Sequence, residues 1–460
     1  MRMIYRIIML TGVALPASLC MAAASEKEPR TLTLQQCRDL AIAADKELAI
    51  AGRKQEIAGY DRKSALANWF PEISATGTYQ YNSRDLSLLP ESVSEFLNAE
   101  GPLYDLRVEV DKALTLDVTN VFAGAVTVVQ PVFMGGKIIN ADRMARLAVD
   151  IADIGYEDRL QQTLLSVDMA YWQTVSVAAR KRLAESYSEL LQQAVSDVTL
   201  LEAQGMATGS DVLSVKVKAN EADILCTKAD NALTLSKMFL ARLCGMGTDS
   251  DFVLSDENAD TIVTSGPVPE RTDKEITAAR ADLRMLSLTA DICDRRVAAV
   301  RADMLPQVVL TGSYVVTNPN MFHSFQNSFG GFFNVGVSVR IPITHGGERL
   351  QKTRKAKAEA AIMREKLAQA EEMAAMEAAQ LRHRWDEAVR RVGMAGENLS
   401  AAEENLRTAT VGFNEGIIAF TALSAAQTAW LQANTEYIDA SIELNICSSA
   451  LRKAEGLPLN

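Results

Sequence analysis

The sequence predicts a mainly α protein with a membrane-type β portion, in which long antiparallel coiled-coil helices join short strands and the whole arrangement occurs twice. Three observations carry this expectation. The chain repeats itself at a fixed offset, its longest proline-free stretches hold apolar residues at heptad spacing, and four runs of about ten residues alternate apolar with polar side chains.

The first element is a leader. Residues 1–24 open with Arg2 and Arg6, run apolar from Ile7 to Leu19 and end in Ala22-Ala23-Ala24, the small-residue pattern of a signal-peptidase site, so cleavage is expected before Ser25. The rival is lipidation at Cys20, against which stands the bulky Leu19 where such processing wants a small residue. The leader holds two of the 47 basic residues and none of the 58 acidic ones, so the mature balance is −13. That sign disfavours nucleic acid as a partner. Beyond the leader no run of roughly 18 uncharged apolar residues follows, so any membrane crossing must use strands.

The repeat fixes the organisation. VTVVQPVFMGGK (Val126 to Lys137) recurs as VSVRIPITHGGE (Val337 to Glu348) at an offset of 211, and the same offset relates Gly205 to Gly416. A looser match at an offset of 235 pairs Pro71 in NWFPEISATGTYQY with Pro306 in ADMLPQVVLTGSYV. Each half reads helix, strand, loop, strand, long helix, tip, return helix. The first repeat spans 25–247, with strands near 72–82 and 122–133, a long helix over 138–203 and a return helix over 208–246. The second spans 272–460, with strands near 307–317 and 332–343, a long helix over 349–414 and a return helix over 419–454. The Gly/Pro/Asp-containing stretch between them, 248–271, lacks heptads and is expected to be an irregular linker around the middle of a rod.

Helices are permitted after Pro131 and Pro342 because the next prolines are Pro267 and Pro458. From Ala356 through Ala360, Met363 and Leu367 to Leu406, Ala409 and Phe413 the apolar or small positions step by threes and fours, a coiled-coil seam. The stretch from Leu160 to Leu201 keeps the step with one slip. Roughly 65 residues make a rod on the order of 100 Å long. The return helices are too short to reach back to the strands. The helices near Thr33 to Ala67 and Thr272 to Ala302 can supply the missing length by stacking end to end with them.

In the first strand Ile73, Ala75, Gly77, Tyr79 and Tyr81 alternate with polar neighbours. In the fourth, Phe333, Val335, Val337, Val339, Ile341 and Ile343 do so, and Val335, Val337, Val339 and Ile341 are the expected lipid-facing set. The third strand agrees (Val308, Leu310, Gly312, Tyr314), and the second (Phe122, Val126, Val128, Val132) agrees less cleanly. A soluble sheet with one wet face has the same period, and the leader and the tyrosines towards strand ends tilt the choice to lipid. Four strands alone leave two open edges, which hydrocarbon does not tolerate, so a membrane sheet would have to close with copies of itself.

These features together resemble the TolC-like outer-membrane efflux family over nearly the whole mature chain. The resemblance rests on the duplication, on proline-marked strands followed by Gly-Gly, on the heptad helices, and on the tip sequences GMATGSDVL (Gly205 to Leu213) and GIIAFTALSAAQ (Gly416 to Gln427). It implies a homotrimer in which each subunit gives four strands to a shared twelve-stranded β-barrel in outer-membrane lipid and its helices to a periplasmic barrel. The implied function is a passive conduit for efflux or type I secretion, served by a periplasmic adaptor and an inner-membrane transporter, with no catalytic site, no cofactor and no metal. By resemblance the adaptor-contact surface is Gly205, Met206, Ala207, Ser210, Asp211, Val212 and Leu213 with Gly416, Ile417, Ile418, Ala419, Thr421 and Leu423. Family members of the best-known type carry two acidic residues after the second tip glycine, whereas Ala422 and Ala425 stand here. A constriction would then be apolar or made by Asp211, unless Asp211 simply caps the returning helix.

An enzyme finds few residues to work with. The chain has three histidines, His323, His345 and His383, scattered over a loop, the Gly346-Gly347 turn and a heptad helix. The mature cysteines, Cys37, Cys226, Cys244, Cys293 and Cys447, are irregularly spaced with no Cys-x-x-Cys pair, which suits small buried hydrophobes. The remaining alternative is an exported periplasmic coiled-coil scaffold without a channel, which explains the heptads and the leader but not strands placed alike in both halves.

Overall fold

The structure is a computed structural model of the chain and describes residues 30–88, 109–110, 114–258, 266–320, 326–344 and 346–459. The expected leader, Cys20, His323 and His345 lie outside the described residues. In chain order the elements are β1 (Arg30–Leu32), α1 (Leu34–Ala44), α2 (Lys46–Ala67), β2 (Glu72–Tyr81), β3 (Leu86–Ser87), β4 (Thr115–Leu116) and β5 (Asn120–Phe133). Then come α3 (Lys137–Ala203), α4 (Gly209–Leu243), β6 (Phe252–Leu254), α5 (Asp273–Ala279) and α6 (Ala281–Ala302). The chain closes with β7 (Gln307–Asn318), β8 (Gly330–Arg340), α7 (Glu348–Asn414) and α8 (Phe420–Ala454).

The long helices α3 and α7 have 67 residues each, which makes each about 100 Å long. Near the sheet α3 packs against α2 and α6, and α6 against α7; towards the far end α3 packs against α4 and α8, and α8 against α7. Four helices therefore lie side by side at every level, two continuous and two built of stacked shorter pieces. The buried face of α7 is mostly alanine (Ala356, Ala360, Ala374, Ala378, Ala388, Ala395, Ala409), so its backbone comes close to its neighbours.

Among the described residues eight glycines have positive φ, and they form four pairs: Gly135 and Gly346, Gly136 and Gly347, Gly205 and Gly416, Gly245 and Gly456. Members of every pair stand 211 residues apart, so the duplication extends to backbone conformation. Both N-terminal helical stretches break where one helix was expected. The breaks fall at Asp45 and Arg280, 235 residues apart, each in extended conformation. Neither is a glycine or proline; each is held by charge to a long helix. Asp45 caps α2 through the Glu47 N–H (2.8 Å) and meets Arg159 (3.3 Å) and Thr163 on α3. Burial opposes charging of Asp45, but the Thr163 hydroxyl, backbone N–H groups and Arg159 outweigh it and hold the carboxyl below its ordinary range. Arg280 pairs with Asp282 (2.8 Å) and with Glu377 on α7 (2.7 Å).

The stretch 248–271, expected to be irregular, contains β6, which pairs in parallel with β1 (Arg30 with Phe252, Leu32 with Leu254). This two-stranded piece covers the main core at mid-rod, where Leu32, Tyr171, Leu240, Phe252 and Leu254 are fully buried. The Tyr171 hydroxyl donates to Asp256 (2.5 Å), and burial pushes its pKa up. Beneath it Arg38 on α1 makes a bidentate pair with the wholly buried Asp168 on α3 (2.7 and 2.8 Å), and Ser449 on α8 donates to the same carboxylate at 2.8 Å. Three elements far apart in sequence are thus locked in one girdle.

At the other end of the rod β2, β5, β7 and β8 form one antiparallel sheet in that order. The register breaks between Pro131 and Phe133, where proline has no N–H for the ladder. That bulge throws Val132 out of phase and explains why the second strand alternated poorly.

Candidate functional site: an open sheet and a pair of helix tips

Register brings alternate apolar residues of the four strands together on one face. One row runs Ile73, Val128, Gly312, Val335, and the next runs Ala75, Val126, Tyr314, Phe333. Further along, Tyr79 stacks on Phe122 with ring centroids 4.8 Å apart, and its hydroxyl donates to Asn120 at 2.9 Å. The opposite face carries rows such as Ser74, Thr127, Ser313, Asn334. Val335, Val337 and Val339 lie on the apolar face as expected for the lipid-facing set, and Val337 is 66% exposed. Ile341 is exposed too, but lies one residue past the end of β8, because Pro342 cannot continue the ladder. The strand, expected to reach residue 343, therefore ends three residues earlier. Strands of 10 to 14 residues are long enough to cross a bilayer when tilted. Within the described chain β2 and β8 are edges, each with one side unpaired.

At the far end α3 reverses into α4 and α7 into α8. Both long helices stop in the same way: Gly205 (φ +75°) and Gly416 (φ +71°) take the left-handed conformation. The following N–H reaches back five residues, Met206 to Leu201 (2.9 Å) and Ile417 to Gly412 (2.8 Å), which makes a Schellman turn. The helices that leave the turns start differently. Thr208 and Asp211 form a capping box, in which the Thr208 N–H (2.9 Å) and hydroxyl (2.7 Å) donate to the Asp211 carboxylate and the Asp211 N–H donates back at 3.2 Å. These bonds hold the Asp211 carboxyl below its ordinary range. The positions 211 further on, Ala419 and Ala422, offer no side-chain cap. There an edge-to-face contact of Phe413 with Phe420 (6.1 Å) secures the turn.

Of the tip residues singled out from the sequence, Met206 (67% exposed), Leu213 and Ile417 (76%) present apolar side chains outward, and Gly205, Ser210, Gly416, Ala419 and Thr421 are also exposed. Ala207, Asp211 and Ile418 are half-buried. Val212 and Leu423 face inward, 5% and 3% exposed, and form with Val198, Phe413 and Phe420 the core that joins the two hairpins. Their burial removes them from any contact surface. Ala422 and Ala425 are exposed. Thr208 was missed, although the T-x-x-D spacing that opens a helix signals it.

A family model describing the outer membrane efflux protein matches residues 37–246 and 274–457, both repeats at once. The chain belongs to the outer membrane efflux protein family. No curated protein sequence matches it. Among solved structures, the family fold recurs in CusC, from a study of folding and transmembrane channel formation, with a TM-score of 0.76 at 15% identity over 92% of both chains. The outer membrane protein VceC of Vibrio cholerae gives 0.74 at 16% identity, covering 93% of this chain and 97% of that one. The MtrE outer membrane channel of Neisseria gonorrhoeae, in its open state, gives 0.71 at 15% identity over 93% and 89%. At such identities the likeness is one of fold. Among the described residues no three His, Cys, Asp or Glu side chains are grouped to hold a metal, and no helix is long and apolar enough to cross a membrane.

Proposed function

We propose that the chain is one subunit of a homotrimeric outer-membrane channel. Each copy gives β2, β5, β7 and β8 to a shared twelve-stranded barrel, and the helices project into the periplasm as a conduit. The observation that carries the reading is the four-stranded sheet with one apolar, exposed face and two unpaired edges, because a sheet in lipid must satisfy both edges. The edges are unlike, β2 on one side and β8 on the other, so closure is head to tail and makes a ring. The family and the fold support the same conclusion.

In this reading the conduit has no chemistry of its own and takes cargo from an inner-membrane transporter through a periplasmic adaptor. The adaptor seats on the exposed tip residues Gly205, Met206, Ser210, Leu213, Gly416, Ile417, Ala419 and Thr421. Asp211 serves its own helix through Thr208, so the narrowest ring is apolar and built of Ala422 and Ala425, not of carboxylates. Mass determination of the complex extracted from the outer membrane tests the assembly: a trimer is expected, and a soluble periplasmic species would favour the scaffold instead. Val337→Arg, on the lipid face, should cost about 2 to 4 kcal/mol if it sits near the bilayer midplane, and should deplete the trimer from the membrane fraction. Unchanged assembly would remove lipid from that face.

A further inference from the structure

Two of the five described cysteines meet in the girdle. Cys37 lies in the first turn of α1 and Cys244 closes α4, 207 residues later. Both are buried in the same apolar core, 0% and 3% exposed. The Cys244 thiol donates to the Cys37 carbonyl oxygen at 3.6 Å, which brings the two side chains together in that core. Both backbones are hydrogen-bonded into their helix ends. Cys37 donates to the Thr33 carbonyl (3.0 Å) behind the Thr33–Gln36 capping box. Cys244 is followed by Gly245 at φ +67°, whose α-carbon lies against Ala44, and by a Schellman bond from Met246 to Ala241 (2.8 Å). The other three cysteines are half-buried on α4, α6 and α8.

The second repeat shows what this position does. The residue 211 beyond Cys244 is Glu455, which closes α8 just as Cys244 closes α4. Glu455 is also buried, and is clasped by Arg382 of α7, while Arg271 donates to its carbonyl at 3.2 Å. At the end of each return helix, then, a buried side chain ties neighbouring segments together, by charge in the second half and through sulfur in the first.

We propose that Cys37 and Cys244 form a disulfide in the exported protein, stapling the entry helix to the end of the first return helix. The inference rests on export as read above, since a periplasm is oxidising and a cytosol is not. The oxidant is a protein disulfide of the thiol-oxidase class. The Cys244 thiolate attacks one sulfur of that disulfide and displaces the other as a thiolate. Cys37, deprotonated in turn, attacks the Cys244 sulfur of the mixed disulfide and releases the oxidant as a dithiol. Two electrons and two protons pass from the cysteine pair to the oxidant. Because the pair is sealed in the finished core, the exchange precedes closure of the girdle.

Differential alkylation tests this on the full chain taken from the outer-membrane fraction. The protein is denatured in light N-ethylmaleimide without reductant, then reduced, treated with the heavy reagent and mapped by peptide mass. Cys37 and Cys244 should carry the heavy label and Cys226, Cys293 and Cys447 the light one, and in Cys244→Ala the label on Cys37 should turn light. Light label on both in membrane-inserted protein, or heavy label persisting on Cys37 in the variant, overturns the proposal. Refolding the reduced, purified full chain in a glutathione redox buffer separates the staple from the export reading. A Cys37–Cys244 link formed there upholds the pairing even for protein that was never exported. Both thiols remaining free there overturns it.

Discussion

At mid-rod and at the far end the same two long helices meet partners from the other half of the chain, yet the two places are held by opposite means. The girdle buries its polar groups: Asp168 is wholly enclosed and takes Arg38 and Ser449 from two other helices. At the tip, Thr208 and Asp211 bond within the start of their own helix and reach no other element. At the turns a small apolar core around Phe413, Phe420, Val212 and Leu423 links the two tip hairpins. A buried ion pair is costly to break but does little when water can replace a partner. The girdle therefore fixes the rod, while the tip can be altered without unmaking the fold.

The sharpest way to break this contrast is Arg38→Met, which leaves Asp168 charged and enclosed without its cation. It should cost about 3 to 5 kcal/mol in chemical denaturation and reduce the yield of assembled protein. Next in size is valine at Gly205 or Gly416. A β-branched residue forced into the left-handed region costs on the order of 1 to 2 kcal/mol, with open space around both glycines adding nothing further. Cargo export should fall while the mass of the complex stays unchanged; an equal loss of both would show that tip and girdle fold as one. Thr208→Ala should cost about 1 kcal/mol, seen as faster amide exchange in the first turn of α4 alone. The smallest effect is one of pH. Asp211 contributes fully above its unfolded pKa of about 4, and the contribution fades as pH falls through the lowered folded value. Amide protection in the first turn of α4 should fall over that acid range, and α8, which has Ala422 in the same place, should show no such step.

Periodic features were legible in the sequence because they repeat over many residues. The heptads ending at Phe413 gave α7, alternation from Ile73 to Tyr81 gave β2, and the offset of Gly205 and Gly416 gave both reversals. What escaped depends on partners far away in the chain. Asp45 is a local N-cap signal, but the breaks at Asp45 and Arg280 are also held by distant partners, Arg159 and Thr163 in one case and Glu377 in the other. The β1–β6 pair joins three residues to three others more than 200 positions later, too short for any period. Alternation through Ile341 and Ile343 overran the strand because the pattern ignores the missing N–H of Pro342. At the tips sequence found the turn but not its inside and outside: Val212 and Leu423 sit one step away from exposed Leu213 and Ala422, and only packing distinguishes them.

The unlike edges of the sheet also govern timing. A lone subunit exposes unpaired N–H and C=O groups along β2 and β8, and lipid offers them no partner. If subunits close a ring as proposed above, entry into the bilayer waits for that closure, and the meeting of subunits in water comes before the crossing of the membrane. On that reading insertion is steeply dependent on subunit concentration, and each waiting sheet has to be kept from pairing with the wrong edge.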